Sequence, residues 1–253
     1  MDGCNPSQPR FSTSISPPVR SMPRAVATFV GRIGLIAAIT TCTLVVRAPA
    51  VQPAEPSPSV NFAKSSVGDP PADFGFAVTG PGEPGRWTVV PDSTTDSRVA
   101  VEHVSRDINE DRFRLAIYNS LSLKNVAVAV RFKILDGSMQ TAGIAVRLSD
   151  PRNYYAIGAS ALDSRVDLSR VVDGRAERIT GTDADVFKDH WQTLRLAVDG
   201  DRLTVFLDSR FLFAAQDRTF RRDGQIALWT VEDNVTRFDQ LEITALPWSE
   251  APR

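Results

Sequence analysis

Residues Thr141–Arg175 read TAGIAVRLSDPRNYYAIGASALDSRVDLSRVVDGR, three short alternating stretches separated by turn residues. Ile144, Val146 and Leu148 share one face of the first stretch, so Arg147 is expected to point the other way. Asp150-Pro151 opens a turn in which Asn153 can bond the loop backbone and set the register of the flanking strands. Tyr154 and Tyr155 are adjacent and must face opposite sides of a strand. One tyrosine is therefore expected in the core, and the other exposed at the sheet face or rim.

The same grammar runs outward in both directions. Asp173-Gly174 joins Val166–Val172 to Ala176–Ile179, and Asp199-Gly200 joins Thr193–Val198 to Arg202–Leu207. Both dipeptides tolerate positive φ and favour two-residue hairpins. Asn125–Ile134 alternates Val126, Val128, Val130, Phe132 and Ile134 on one face. Phe211–Ala214, Gln225–Val231 and Arg237–Ala245 continue the series. About a dozen strands over Phe74–Leu246, with turn signals every 8–12 residues or so, predict an all-β fold of two stacked antiparallel sheets. Asp183–Phe187 and Asp217–Arg221 are the candidate helical turns.

Before this domain, a basic leader precedes the 14-residue apolar run Ile33–Val46, followed by Ala48-Pro49-Ala50. That is the pattern of a secretory signal peptide over residues 1–50, cleaved after Ala50. The run is short of the about 20 residues that span a bilayer. An uncleaved signal anchor using Val26–Val46 is the alternative, and the only membrane attachment expected. Residues 51–72 are dense in proline and read as an extended tether. The sandwich is assigned to residues 73–247 and a tail to 248–253. The first 50 residues hold five Arg, no Lys and one acid, leaving 24 basic and 29 acidic residues and a net charge of −5. That balance argues against a nucleic-acid partner. Cys4 and Cys42 both fall in the leader, which excludes a disulfide framework, a cysteine nucleophile and a zinc–thiolate site in the exported domain. The localisation expected is periplasmic, extracellular or cell-surface.

The ordered set GIAVRLSDPRNYYAIGASAL, RVDLSRVVDGR, HWQTLRLAVDGDRLTVFLDSRFLF and DGQIALWTVEDNVTRFDQLEI carries the motifs D-x-x-N-Y-Y, W-x-x-L-R, D-G-x-x-x-x-V-F-L-D and L-W-T. In this order it resembles the concanavalin A-like lectin/glucanase superfamily, and within it is most similar to the 3-keto-disaccharide hydrolase domain family. The likeness covers about Phe74–Thr244. It implies a jelly-roll sandwich whose concave sheet is the usual place for a saccharide, and it leaves open both a binding module and a hydrolase or lyase acting on 3-keto-glycosides.

Trp191, just before a strand bearing Leu194 and Leu196, is read as a core plug. Trp229 faces away from Ile226 and Leu228, the outward placement that sugar stacking needs. Arg147, Tyr154, Trp229 and Asn153 are the ligand-binding candidates, with carbohydrate as partner. No catalytic residue is assigned. The E-x-D-x-E of the glucanases is absent. Asp183/Asp185 and Asp199/Asp201 fall in a loop and across a turn, and Glu232-Asp233 face opposite sides of a strand. His103 and His190 are isolated, and His190 is expected to be solvated. No cofactor or metal set is assigned. Asp107–Asp111 begins like a calcium loop but has Arg112 and Tyr118 where a glycine and an acid are needed, leaving an ordinary loop favoured.

Overall fold

The computed structural model describes residues 59–60, 62–105, 112–231 and 233–247. The leader, most of the proline-rich tether, the Asp107–Asp111 loop, Glu232 and the tail lie outside the described residues.

Two antiparallel sheets stack face to face. The eight-stranded sheet runs β13 (Arg210–Gln216), β12 (Arg202–Leu207), β11 (Gln192–Asp199), β6 (Val126–Asp136), β15 (Val235–Ala245), β4 (Val99–Val104), β3 (Arg86–Pro91), with β1 (Ser59–Val60) also pairing β15. The seven-stranded sheet runs β10 (Arg175–Asp183), β9 (Arg165–Val172), β8 (Asn153–Ser160), β7 (Thr141–Asp150), β14 (Gly224–Val231), β5 (Phe113–Leu123), β2 (Phe74–Val78). Strands close in sequence but split between the sheets, such as β6 and β7, give the jelly-roll connectivity.

Alternation builds the core. Val126, Val128, Val130, Phe132 and Ile134 of β6 are all buried against Ile144, Val146, Tyr155, Ile157, Leu194, Leu196, Ile226 and Leu228. The two hairpins form at the expected dipeptides, with Asp173, Gly174 and Gly200 at positive φ. Asp183–Phe187 and Asp217–Arg221 are not helical; their carboxylates and backbone are held by turns and side chains. The folded unit also begins earlier than residue 73. Ser59 and Val60 pair with Glu242 and Leu241, and Phe62 is buried against Phe74.

At its centre the seven-stranded sheet is apolar on both faces. Opposite the main core, Leu115, Ile117, Ala145, Leu148, Tyr154, Val171, Ala227, Trp229 and Val231 form a second buried cluster. Both faces of β14 are thus dry: Ile226 and Leu228 enter the first cluster, Ala227 and Trp229 the second.

Candidate functional site

The outward face of the eight-stranded sheet has the opposite character. The alternation that sends Val130, Phe132 and Ile134 inward turns Arg131 and Lys133 outward. Register places Arg237 beside Lys133 and Asp239 beside Arg131 on β15, and Glu102 of β4 beside Arg237. The β3–β4 loop folds Asp92 and Thr94 over this row.

Asp92 is the hub. One of its oxygens, Oδ2, accepts from Lys133 Nζ at 3.0 Å and from Arg237 at 3.0 Å, while Oδ1 accepts from the Thr94 backbone N–H at 3.0 Å and the Thr94 hydroxyl. Burial alone would push this carboxyl up; the bonds from Thr94, Lys133 and Arg237 outweigh it and hold it well below the usual carboxylate range. Arg237 also donates to Glu102 at 2.8 Å, and Arg131 donates to Asp239 at 3.1 Å. Asp239 behaves differently. Its burial prevails over the nearby Arg131 charge, and its carboxyl is shifted upward.

Trp191 caps this network. Its ring centroid lies 4.6 Å from Lys133 Nζ and 5.0 Å from Arg131 Cζ, and its indole N–H donates to Thr94 Oγ1 at 2.8 Å. Trp191 is therefore no core plug: it is half-exposed on the sheet surface, directly preceding the residue paired with Phe132. Beside it, Ser59, Asp96, Ser97, Asp239, Gln240 and Glu242 line a depression of about 230 Å³. Here a half-exposed aromatic face, guanidinium groups a quarter exposed and planar carboxylates meet on rigid strands. That set can stack on an apolar ring face while exchanging hydrogen bonds with hydroxyl groups. Among the described residues, no cluster of three His, Cys, Asp or Glu side chains is placed to hold a metal ion.

The four ligand-binding candidates lie away from Trp191, in or beside the seven-stranded sheet. Trp229 does face away from Ile226 and Leu228, but it is only 5% exposed. Its ring lies flat over Gly143 and Gly158, where an added Cβ would come within 2.6–2.7 Å of it. The Trp229 N–H donates to the Ile157 carbonyl at 3.0 Å, and Phe113 packs edge-on at 4.8 Å.

Arg147 is displaced by a bulge. The register of β7 breaks after Val146, Arg147 has φ 50°, and Leu148 joins the second cluster instead of the core. The Arg147 guanidinium donates to the carbonyls of Lys124 (2.9 Å), Phe220 (2.7 Å) and Gly200 (2.6 Å), binding three connections at one end of the sandwich. Tyr154 and Tyr155 are both buried, against the expectation of one exposed ring. Thr79 donates to the Pro151 carbonyl, so the Tyr154 hydroxyl, 2.7 Å away, donates to Thr79. Tyr155 donates to Asp217 at 2.6 Å. Asn153 donates to the Asp150 carboxylate and accepts from the Asp173 N–H, the register-setting role its position suggested. The structure brings Tyr154 and Trp229 into one cluster and leaves Arg147 and Asn153 outside it.

The missed residues left a trace in the sequence. Outward positions of β6 run Ala127, Ala129, Arg131, Lys133, small and then basic, in the very segment read for its core face.

Three solved structures share this architecture. The carbohydrate-binding module CBM66 from Bacillus subtilis aligns with TM-score 0.55 and 19% identity, over 69% of this chain and 98% of its own. Domain 4 of AbnA, an extracellular arabinanase from Geobacillus stearothermophilus solved with arabinotriose, gives 0.53 and 15%, over 78% and 96%. Bacillus licheniformis β-glucanase gives 0.52 and 9%, over 76% and 99%. No protein-family model and no curated protein sequence matches the chain. At these identities the likeness establishes the fold alone: a two-sheet antiparallel jelly-roll sandwich.

Proposed function

We propose that this chain is an exported, lectin-like sandwich that binds carbohydrate on the outward face of its eight-stranded sheet, at Trp191. The observation that carries the reading is the Trp191 ring, half-exposed above Lys133 and Arg131 and ringed by Asp92, Thr94, Arg237 and Asp239. These groups are held by one another before any ligand arrives, so little ordering cost remains at binding. Two structural neighbours, a carbohydrate-binding module and an arabinanase domain solved with arabinotriose, support saccharide as the ligand class. The basic leader and apolar run support export. In this reading Arg147, Tyr154, Trp229 and Asn153 are framework residues in or beside the other sheet.

The enzymatic reading, hydrolysis or lysis of 3-keto-glycosides, has one observation in its favour: the upward-shifted Asp239 carboxyl at the rim of the depression. A glycan array with parallel turnover assays on 3-keto-glycosides separates the two. Binding without turnover is expected. Trp191→Ala should abolish binding while moving the urea midpoint little, since an exposed cation–π contact is worth about 1 kcal/mol. Undiminished glycan binding by that variant would refute the placement of the site.

A further inference from the structure

The surface beyond Trp191 extends this site, and the extension rests on the carbohydrate reading above. Moving along β6 from Lys133 and Arg131, the next outward residues are Ala129 and Ala127. Register aligns Glu242 of β15, Ala129, Arg195 of β11, Phe206 of β12 and Phe211 of β13 in a single row across the sheet. One row further on stand Thr244, Ala127, Ala197, Thr204 and Ala214, all small.

A trough results, floored by half-exposed Ala129 and, one row on, by small residues that leave Ala127 only 3% exposed. Glu242 and Arg195 stand two strand spacings apart, about 9.6 Å between backbones. Arg195 leans away from the floor, with its Cζ 5.3 Å from the Phe206 ring centroid, and Phe211 packs its ring edge-on against Phe206. Glu242 and Arg195 are exposed, and neither has an ion-pair partner among the described residues. The Arg131–Asp239 pair and Trp191 close one end of the trough. From Trp191 to Arg195 is four residues of strand, about 13 Å, longer than a single sugar ring.

We propose that this trough is an extended subsite for an uncharged oligosaccharide, with a terminal ring at Trp191 and the following rings over Ala129 and the half-exposed Ala197 and Thr244 of the next row. Arg195 donates to ring hydroxyls from one wall and Glu242 accepts from them on the other. An uncharged sugar satisfies both walls at once. A uronate carboxylate that met Arg195 would also face Glu242 across the trough, and an amino-sugar ammonium that met Glu242 would also face Arg195, so either charge is opposed from one wall.

The test is calorimetric titration of the full chain with glucose, cellotetraose, arabinose, arabinotetraose, tetragalacturonate and a chitosan tetramer. One neutral tetrasaccharide should bind at least tenfold more tightly than its monosaccharide. Arg195→Gln and Glu242→Gln should each remove about tenfold of that gain, as loss of one charge-assisted hydrogen bond predicts, and Arg195→Gln should leave monosaccharide affinity unchanged. Ala129→Trp, which fills a half-exposed floor position from outside, should do the same without affecting folding. Equal affinity for monomer and tetramer, unaltered binding by all three variants, or tighter binding of tetragalacturonate or the chitosan tetramer would overturn the trough. Any of these accompanied by loss of monosaccharide binding in Trp191→Ala leaves the Trp191 site standing alone. Absence of binding to every probe overturns both.

Discussion

Acid should destabilise this sandwich through one histidine. His103 of β4 is fully buried on the inner face of the sheet, its ring 4.7 Å from Trp87, and its Nδ1–H donates to the Asn234 carbonyl at 3.2 Å. An added Cβ at Gly85 would collide with the imidazole, so the ring has no room to turn toward water. Burial disfavours the charged form and the Arg114 charge adds to it, against weaker support from the carbonyls of Asn234 and Pro84; the pKa falls from 6.5 to about 4. The unfolded chain therefore takes up a proton near pH 6.5 that the folded chain refuses until about pH 4. The stability in question is full above pH 6.5, declines as pH falls from there, and is exhausted once pH is below about 4. At 1.36 kcal/mol per pKa unit, that gap is worth about 3 kcal/mol. Urea unfolding at pH 7, 5.5 and 4 measures it, with His103→Gln as the comparison. The variant should be weaker at pH 7 but lose about 3 kcal/mol less between pH 7 and 4. Parallel losses in the two proteins over that interval would refute the assignment.

Two further outcomes test the framework. Arg147→Ala leaves three carbonyls without their charged donor and should cost about 3 kcal/mol or more in urea unfolding; Arg147→Lys, which cannot fork to three acceptors, should recover little of it. Gly143→Ala drives a methyl group against the Ile157 carbonyl and the Trp229 ring and should cost about 1–3 kcal/mol, whereas the same change at Gly200 meets open space and strains only its backbone. Similar losses at the two glycines would show that the space above Gly143 is not closed by the Ile157 carbonyl and the Trp229 ring.

The candidate site was legible only in part. Trp229 and Trp191 show why, since their expected burial is exchanged. Alternation correctly put Trp229 on the face opposite Ile226, but an opposite face need not be a wet one. Glycines at 143 and 158 let the indole lie flat, and Leu115, Ala227 and Phe113 surround it. Trp191 lies just outside the strand whose pattern was read, and its partners come from β6 and the β3–β4 loop, far away in sequence.

By itself, the sequence determined the all-β class, most strand positions, the two Asp-Gly hairpins and the inward face of β6. Those features rest on local rules: side-chain period, turn chemistry and φ preference. Tertiary structure alone decided the direction of Arg147, because a bulge in β7, formed opposite Gly224, breaks the period on which every later assignment depends. It also decided which outward face stays polar. Burial of a sheet face depends on what packs against it, and no periodicity along a single strand encodes that.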